Sequence, residues 1–147
     1  MRKLTTILSV LTATLFSGMA LAQPANNDCI NATEITDLAG GCTTVNNTGA
    51  TYDSYVGGCF QYGTNNIWFS FTAQGYFADI TVSGVNRPEF FVSYAPTGDP
   101  CNLADAVGIL CATAGGNYNS ITGEIGPLEI GETYYVQVVN NTGGGGG

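Results

Sequence analysis

Apolar and polar residues alternate in short runs along most of the chain. In the clearest run, Ile67, Phe69 and Phe71 are separated by single residues, so their three side chains share one face of an extended strand. Five further runs follow, each bounded by Gly, Pro, Asn or Asp. The predicted strands are 66–72, 78–82, 90–94, 107–112, 118–125 and 133–139.

This pattern predicts an all-β protein. No stretch of about eleven residues or more carries apolar positions at helical spacing, and the runs recur roughly every 8 to 15 residues. We therefore predict an antiparallel two-sheet β-sandwich. Segment 29–36 is predicted to form either one helical turn or the lead-in to a strand. The side chains expected to point into the core are Phe69, Phe71, Ile80, Val82, Val136 and Val138.

Two local signatures support this fold class. Leu128, Gly131 and Tyr134 have the L-x-x-G-x-x-Y spacing of a tyrosine corner, in which the phenol bonds a backbone group a few residues upstream. We therefore expect Tyr134 to have a structural role. Trp68, the single tryptophan, stands in the middle of an apolar strand, and we interpret it as a side chain that fills the core rather than a sugar-stacking platform.

The first 22 residues have the features of a signal peptide. Arg2 and Lys3 precede an apolar run, and Ala20-Leu21-Ala22 forms a cleavage site of the A-x-A kind. Thr and Ser interrupt the run, which is shorter than the roughly 20 apolar residues of a membrane span. We predict export to the cell surface or medium, with no membrane span after cleavage. The expected organisation is a signal peptide (1–22), one module (23–142) and a Gly-rich turn or truncated linker (143–147).

Charge excludes several classes of function. The chain carries eleven acidic residues, three basic ones and no histidine. Nucleic-acid binding is excluded because nothing can neutralise a run of phosphates. The lack of His also removes Ser-His-Asp catalysis and His-type zinc sites. Without the leader only Arg87 remains basic, which leaves one base against eleven acids and a formal charge of −10.

Oxygen-rich side chains leave two weaker alternatives. Asp99, Asn102, Asp105 and the region around Asn117 offer donors that suit calcium, although the chain has no EF-hand loop. Otherwise we expect no cofactor. The eleven carboxylates also leave room for a carboxylate-based hydrolase, although no two occur in a recognisable glycosidase setting.

The five cysteines fit an oxidising compartment. Cys101 and Cys111 bracket nine residues, and Cys42 and Cys59 bracket sixteen, so either pair can close a loop. A catalytic or metal-binding role is not expected, because no C-x-x-C occurs. An odd number implies a free thiol, an intermolecular bridge or a missing partner. The Gly-rich run after the last predicted strand favours the third reading, with a further strand and a sixth cysteine beyond residue 147.

A set of short segments occurs along the chain in a recognisable order. They are Asn27-Asp28-Cys29, Gly41-Cys42-Thr43, Gly58-Cys59, residues 66–73, Cys101, Cys111 and residues 131–136. This order resembles a secreted β-sandwich module common in large surface proteins of Bacteroidota, which is similar to the bacterial pre-peptidase C-terminal domains. The resemblance implies a jelly-roll-like sandwich that is not an enzyme and that stands beside proteases, adhesins or a type IX secretion sorting domain.

The resemblance also implies a disulfide pattern. Carried over to this chain, it pairs Cys42 with Cys59 and Cys101 with Cys111. It leaves Cys29 unpaired, because the family's partner for that cysteine lies in a final strand that this sequence lacks.

Three functional hypotheses follow. The leading one is a non-catalytic spacer, stabiliser or adhesion unit of an exported bacterial protein, whose partners are the other domains of its parent chain. The second is a carbohydrate- or protein-binding module, and the third is the carboxylate-based hydrolase. The aromatic residues considered for the second hypothesis are Tyr52, Tyr55, Phe60, Tyr62 and Tyr118.

Overall fold

A computed structural model describes residues 22–52, 65–102, 104–114 and 118–140. A three-residue 3₁₀ helix, Cys29–Asn31, comes first, and seven strands follow it in these ranges. Each strand predicted from the alternation is present. The strands are β1 (Thr33–Glu34), β2 (Asn65–Thr72), β3 (Ala78–Ser83), β4 (Pro88–Tyr94), β5 (Val107–Thr113), β6 (Ser120–Ile125) and β7 (Thr133–Asn140).

The strands form two sheets. The large sheet has the order β1-β2-β7-β4-β5, and the small sheet pairs β3 with β6. All pairs are antiparallel except β1 with β2, which is parallel. The predicted all-β, two-sheet sandwich is therefore confirmed. Segment 29–36 satisfies both of its predicted alternatives, because the 3₁₀ helix is followed directly by β1.

The inner faces of the two sheets enclose the core. Phe69, Phe71 and Val136 are buried there, and Phe90 and Val92 have no exposed surface. Ile80 and Val82 of the small sheet and Val138 of β7 pack against this cluster while partly buried. The six side chains predicted to point inward therefore do so.

Gly123 sets how closely the sheets approach. A Cβ atom at this position of β6 would lie 2.7 Å from Leu110 Cδ2 and 2.9 Å from Phe90 Cζ. Real Cβ atoms do not come this close to other carbons, so β6 lies on the large sheet only because residue 123 has no side chain.

The outer face of the large sheet is also buried, although it carries several polar side chains. Asn66 and Gln137 have no exposed surface, and Ser93 is 2% exposed. Trp68 belongs to this face: it is buried as predicted, and it lies outside the cluster between the sheets. Asn26 makes two hydrogen bonds to the Trp68 backbone. Its carbonyl accepts from the Trp68 amide at 2.8 Å, and its side-chain amide donates to the Trp68 carbonyl at 2.9 Å.

The predicted disulfide pattern is wrong. Cys29 is bonded to Cys101, with Cα atoms 5.5 Å apart, and Cys42 is free and exposed. Cys111 is also disulfide-bonded. Cys59 lies outside the described residues. The pairs Cys42–Cys59 and Cys101–Cys111 are therefore excluded.

The fold explains this correction. Cys101 lies in the loop between β4 and β5, whereas Cys111 is the fifth residue of β5. Because the strand is extended, Cys111 lies more than about 10 Å from the first residue of β5. Cys29 opens the 3₁₀ helix that comes before β1, the neighbour of β2 in the large sheet. The Cys29–Cys101 bond therefore ties the segment beside β2 to the β4–β5 loop. It also removes the argument for a missing strand that rested on an unpaired Cys29.

A disulfide bond is compatible with an extracellular location. Within the described parts of the chain, no helix is both long enough and apolar enough to cross a bilayer.

Candidate functional site

Two loops are joined at one end of the sandwich. The β2–β3 loop covers residues 73–77, and the β6–β7 loop covers residues 126–132. Backbone bonds connect them: the Ala73 amide donates to Glu132, the Gly131 amide to Ala73, and the Leu128 amide to Tyr76, all at 2.8–2.9 Å. The two loops therefore form one continuous surface.

The tyrosine corner holds the β6–β7 loop of this surface in place. The Tyr134 hydroxyl accepts a hydrogen bond from the Glu129 amide at 2.8 Å, and Leu128 is buried beside the core. Gly131 has a φ of +92°, a conformation that residues with a Cβ seldom adopt. The Tyr134 ring packs between Phe71 and Tyr94, with centroids 5.6 and 5.4 Å away. The structural role predicted for Leu128, Gly131 and Tyr134 is present.

Three large apolar side chains project from the joined loops. Tyr76 and Phe77 are each 65% exposed, and Ile130 is 57% exposed. We call these three residues the aromatic loop surface. Isolated exposed apolar residues are common, but neighbouring ones on backbone-paired loops are typical of contact sites.

Phe77 is held against a glycine. Ala78 pairs with Ile125, so Phe77 lies opposite Gly126 when the register of β3 and β6 is continued by one residue. Its ring lies where a Cβ of Gly126 would stand, in direct contact with that position. The ring thus covers exposed backbone, and any side chain at residue 126 would displace it.

Two carboxylates stand next to this ring. Asp79 pairs directly with Glu124 across β3 and β6, and both side chains are exposed. Thr81 and Thr122 are the next pair on the same face, and their hydroxyls are 2.8 Å apart. Asp79 and Glu124 therefore lie side by side on an open strand face, where they can attract a cation.

The aromatic residues that the sequence suggested for binding a carbohydrate or protein do not belong to this surface. Tyr52 is 43% exposed and Tyr118 is 67% exposed, both toward the opposite end of the sandwich, where the Arg87 amide donates to the Tyr118 carbonyl. Tyr55, Phe60 and Tyr62 lie outside the described residues. Tyr76 and Phe77 were not among the residues predicted from the sequence, although two aromatics in a turn between predicted strands are a usable signal of exposure.

The loop considered for calcium uses its oxygens internally, and Asn117, the other position considered, lies outside the described residues. Asp105 Oδ2 accepts bonds from the Asp99 amide at 3.2 Å and from the Asn102 side chain at 3.1 Å. Asp99 Oδ1 accepts from the Cys101 amide at 2.9 Å. These side chains therefore close the β4–β5 loop beside the disulfide bond. In the described ranges, no three His, Cys, Asp or Glu side chains are grouped so as to hold a metal ion.

No family model, no curated protein and no solved structure matches this chain.

Proposed function

We propose that this chain is a non-catalytic adhesion module of an exported bacterial surface or secreted protein and that its aromatic loop surface is the contact site. The observation that carries the proposal is the exposure of Tyr76 and Phe77 on loops held by backbone bonds and by the tyrosine corner. A contact site that is ordered before binding loses less entropy when its partner binds.

The disulfide bond supports the exported part of the proposal, since such bonds persist outside the cytosol. The resemblance to secreted modules of Bacteroidota supports a parent chain with further domains. In this proposal the sandwich is the scaffold and the joined loops are the working part, as in other domains whose binding residues stand on loops of a rigid core.

A binding comparison tests the proposal. The exported chain is immobilised and exposed to cellulose, xylan, chitin, lysozyme and serum albumin, and retention is measured for the wild type and for Tyr76→Ala/Phe77→Ala. We expect the wild type to retain at least one probe and the double variant to bind it at least tenfold more weakly. Tyr118→Ala is the control, because that tyrosine is equally exposed at the opposite end.

Two results would contradict the proposal. In one, the wild type retains none of the probes, which favours a spacer role. In the other, the double variant binds as tightly as the wild type while circular dichroism shows both to be folded.

A further inference from the structure

Asp79 and Glu124 are an unfavourable pair in the protein on its own. They are directly opposite in the β3–β6 ladder and share the exposed face on which Thr81 and Thr122 meet. Side chains in such positions have Cβ atoms about 5 Å apart, and two like charges there repel each other. A cation that sits between them would remove this repulsion.

Phe77 extends the same face. It lies two residues before Asp79, and strand residues two positions apart point to the same side of a sheet. Residues 77, 79 and 81 are all exposed, whereas Ala78, Ile80 and Val82 are partly buried against the core. An aromatic ring therefore stands beside the pair of carboxylates.

More negative charge surrounds the aromatic loop surface. Glu129 and Glu132 flank Ile130 in the β6–β7 loop, and both are exposed. Arg87 is the only basic residue that follows Lys3 in the sequence. Its backbone is bonded to Tyr118, at the opposite end of the β3–β6 ladder. No basic side chain of residues 23–147 is thus close enough to neutralise these four carboxylates.

We propose that the aromatic loop surface binds a basic protein segment, in which Arg or Lys side chains alternate with apolar ones. This inference rests on the proposed function and names the chemistry of its partner. A guanidinium or ammonium group can lie over the face of Phe77 and bond Asp79 or Glu124 at the same time. Apolar side chains of the same segment cover Tyr76 and Ile130.

Charge separates this partner from a glycan. A neutral sugar can stack on the rings but gains nothing from four carboxylates, and an anionic polysaccharide is repelled by them. Arg suits the site better than Lys, because its planar group stacks on a ring while it bonds a carboxylate.

Titration with defined probes tests the inference. The probes are the blocked peptides (Arg-Ala)5 and (Gln-Ala)5 and the sugar cellohexaose, and binding is measured by calorimetry at 20 and 300 mM salt. We expect (Arg-Ala)5 to bind at least tenfold more tightly than either neutral probe at low salt. Its affinity should fall at the higher salt concentration because the attraction between the charges is screened.

Matched variants localise the binding. Phe77→Ala and Asp79→Asn should each weaken (Arg-Ala)5 at least fivefold. Asp28→Asn is the control, because it removes the same charge from an exposed position near Asn66, at the other end of the sandwich. It should change the affinity by less than twofold.

The possible failures are distinct. If cellohexaose or (Gln-Ala)5 binds as tightly as (Arg-Ala)5 and depends on Phe77, the partner's chemistry is wrong and the proposed function stands. If (Arg-Ala)5 binds equally well to Asp79→Asn, Phe77→Ala and Asp28→Asn, it responds only to the overall negative charge, and the inference is overturned. If none of the three probes binds, the inference is overturned, whereas the proposed function fails only if the retention assay with cellulose, xylan, chitin, lysozyme and serum albumin also finds no binding.

Discussion

Both outward faces of the sandwich carry polar side chains, but their exposure is opposite. On the small sheet, Asp79, Thr81 and Glu124 are all exposed. On the large sheet, Gln137 is fully buried and Ser93 is 2% exposed. Alternation along a strand therefore shows which residues share a face. It does not show whether that face meets water, because this depends on segments outside the sheet.

Segments that precede β2 in the chain lie against the edge of this strand. The Asn66 amide donates to Thr51 at 3.1 Å, and the Trp68 amide donates to Asn26 at 2.8 Å. Cys29 is buried next to these contacts and is held by its bond to Cys101. Cys29, Cys101 and Cys111 are disulfide-bonded, and each lies in the large sheet or next to it. The strands of the small sheet, β3 and β6, contain no cysteine.

The largest expected effect comes from removing the Cys29–Cys101 bond. Its partners are 72 residues apart, and the loop-entropy model gives a loss of about 4 kcal/mol in the free energy of unfolding. Cys29→Ser/Cys101→Ser should show this loss in urea denaturation. Trp68 emission should also shift to the red, because Asn26, which bonds the Trp68 backbone, lies three residues before Cys29.

Cys42→Ser is the matched control, since this thiol is exposed and unbonded. It should leave the stability and the emission unchanged. A loss below about 1 kcal/mol in the double variant would show that the bond does little to hold the segment before β1 against β2.

The same substitution on both outward faces tests the comparison directly. Ser93→Lys places a charge on a buried strand and should lower the free energy of unfolding by more than about 3 kcal/mol. Thr81→Lys, on the exposed face, should change it by less than about 0.5 kcal/mol. Equal losses in thermal melts would mean that the two faces do not differ in exposure.

The close approach of the two inner faces gives a smaller effect. Gly123→Ala pushes a methyl group against Leu110 and Phe90 and should cost about 1–3 kcal/mol of unfolding free energy. Gly75→Ala is the control, because its nearest neighbour would be 3.9 Å away, and it should be neutral or slightly stabilising. If the two variants melt alike in calorimetry, the sheets are farther apart at Gly123 than described.

The smallest effect is a gain in stability. Asp79→Asn removes the repulsion with Glu124 and should raise the free energy of unfolding by about 0.2–1 kcal/mol. The gain should shrink at 0.5 M salt, where the charges are screened. Asp28→Asn should show no such gain in the same denaturation series. A loss of stability in Asp79→Asn would indicate that this carboxylate is held by a favourable partner.

The strands were predictable because each signal is local. Alternation placed the last strand at 133–139, and the structure has Thr133–Asn140. The tyrosine corner was predictable for the same reason, since its contact spans only five residues. The start of β6 was predicted two residues too early: Tyr118 and Asn119 fit the alternation, but their carbonyls bond to Arg87 and Gly84 of the turn before β4, and β6 begins at Ser120.

Contacts between distant segments were not predictable in this way. Loop length suggested a bond between Cys101 and Cys111, but it carries no information on the direction in which β5 leaves the loop. The Asp79–Glu124 pair depends on the register between two strands, and nothing in either strand sets that register alone. The aromatic loop surface likewise forms only when two separate loops, residues 73–76 and 128–132, are brought together.

The position of β7 has a consequence for the order of folding. It lies in the middle of the large sheet, between β2 and β4, yet its residues are 133–140. Its partners in β2 are more than 60 residues earlier, from Thr72 with Thr133 to Asn65 with Asn140, whereas β4 and β5 pair within 24 residues. Pairing over such distances makes folding slow, on the order of milliseconds to seconds. During synthesis β2 and β4 are therefore made long before β7, the strand that lies between them. The two halves of the large sheet cannot be joined until β7 has been made.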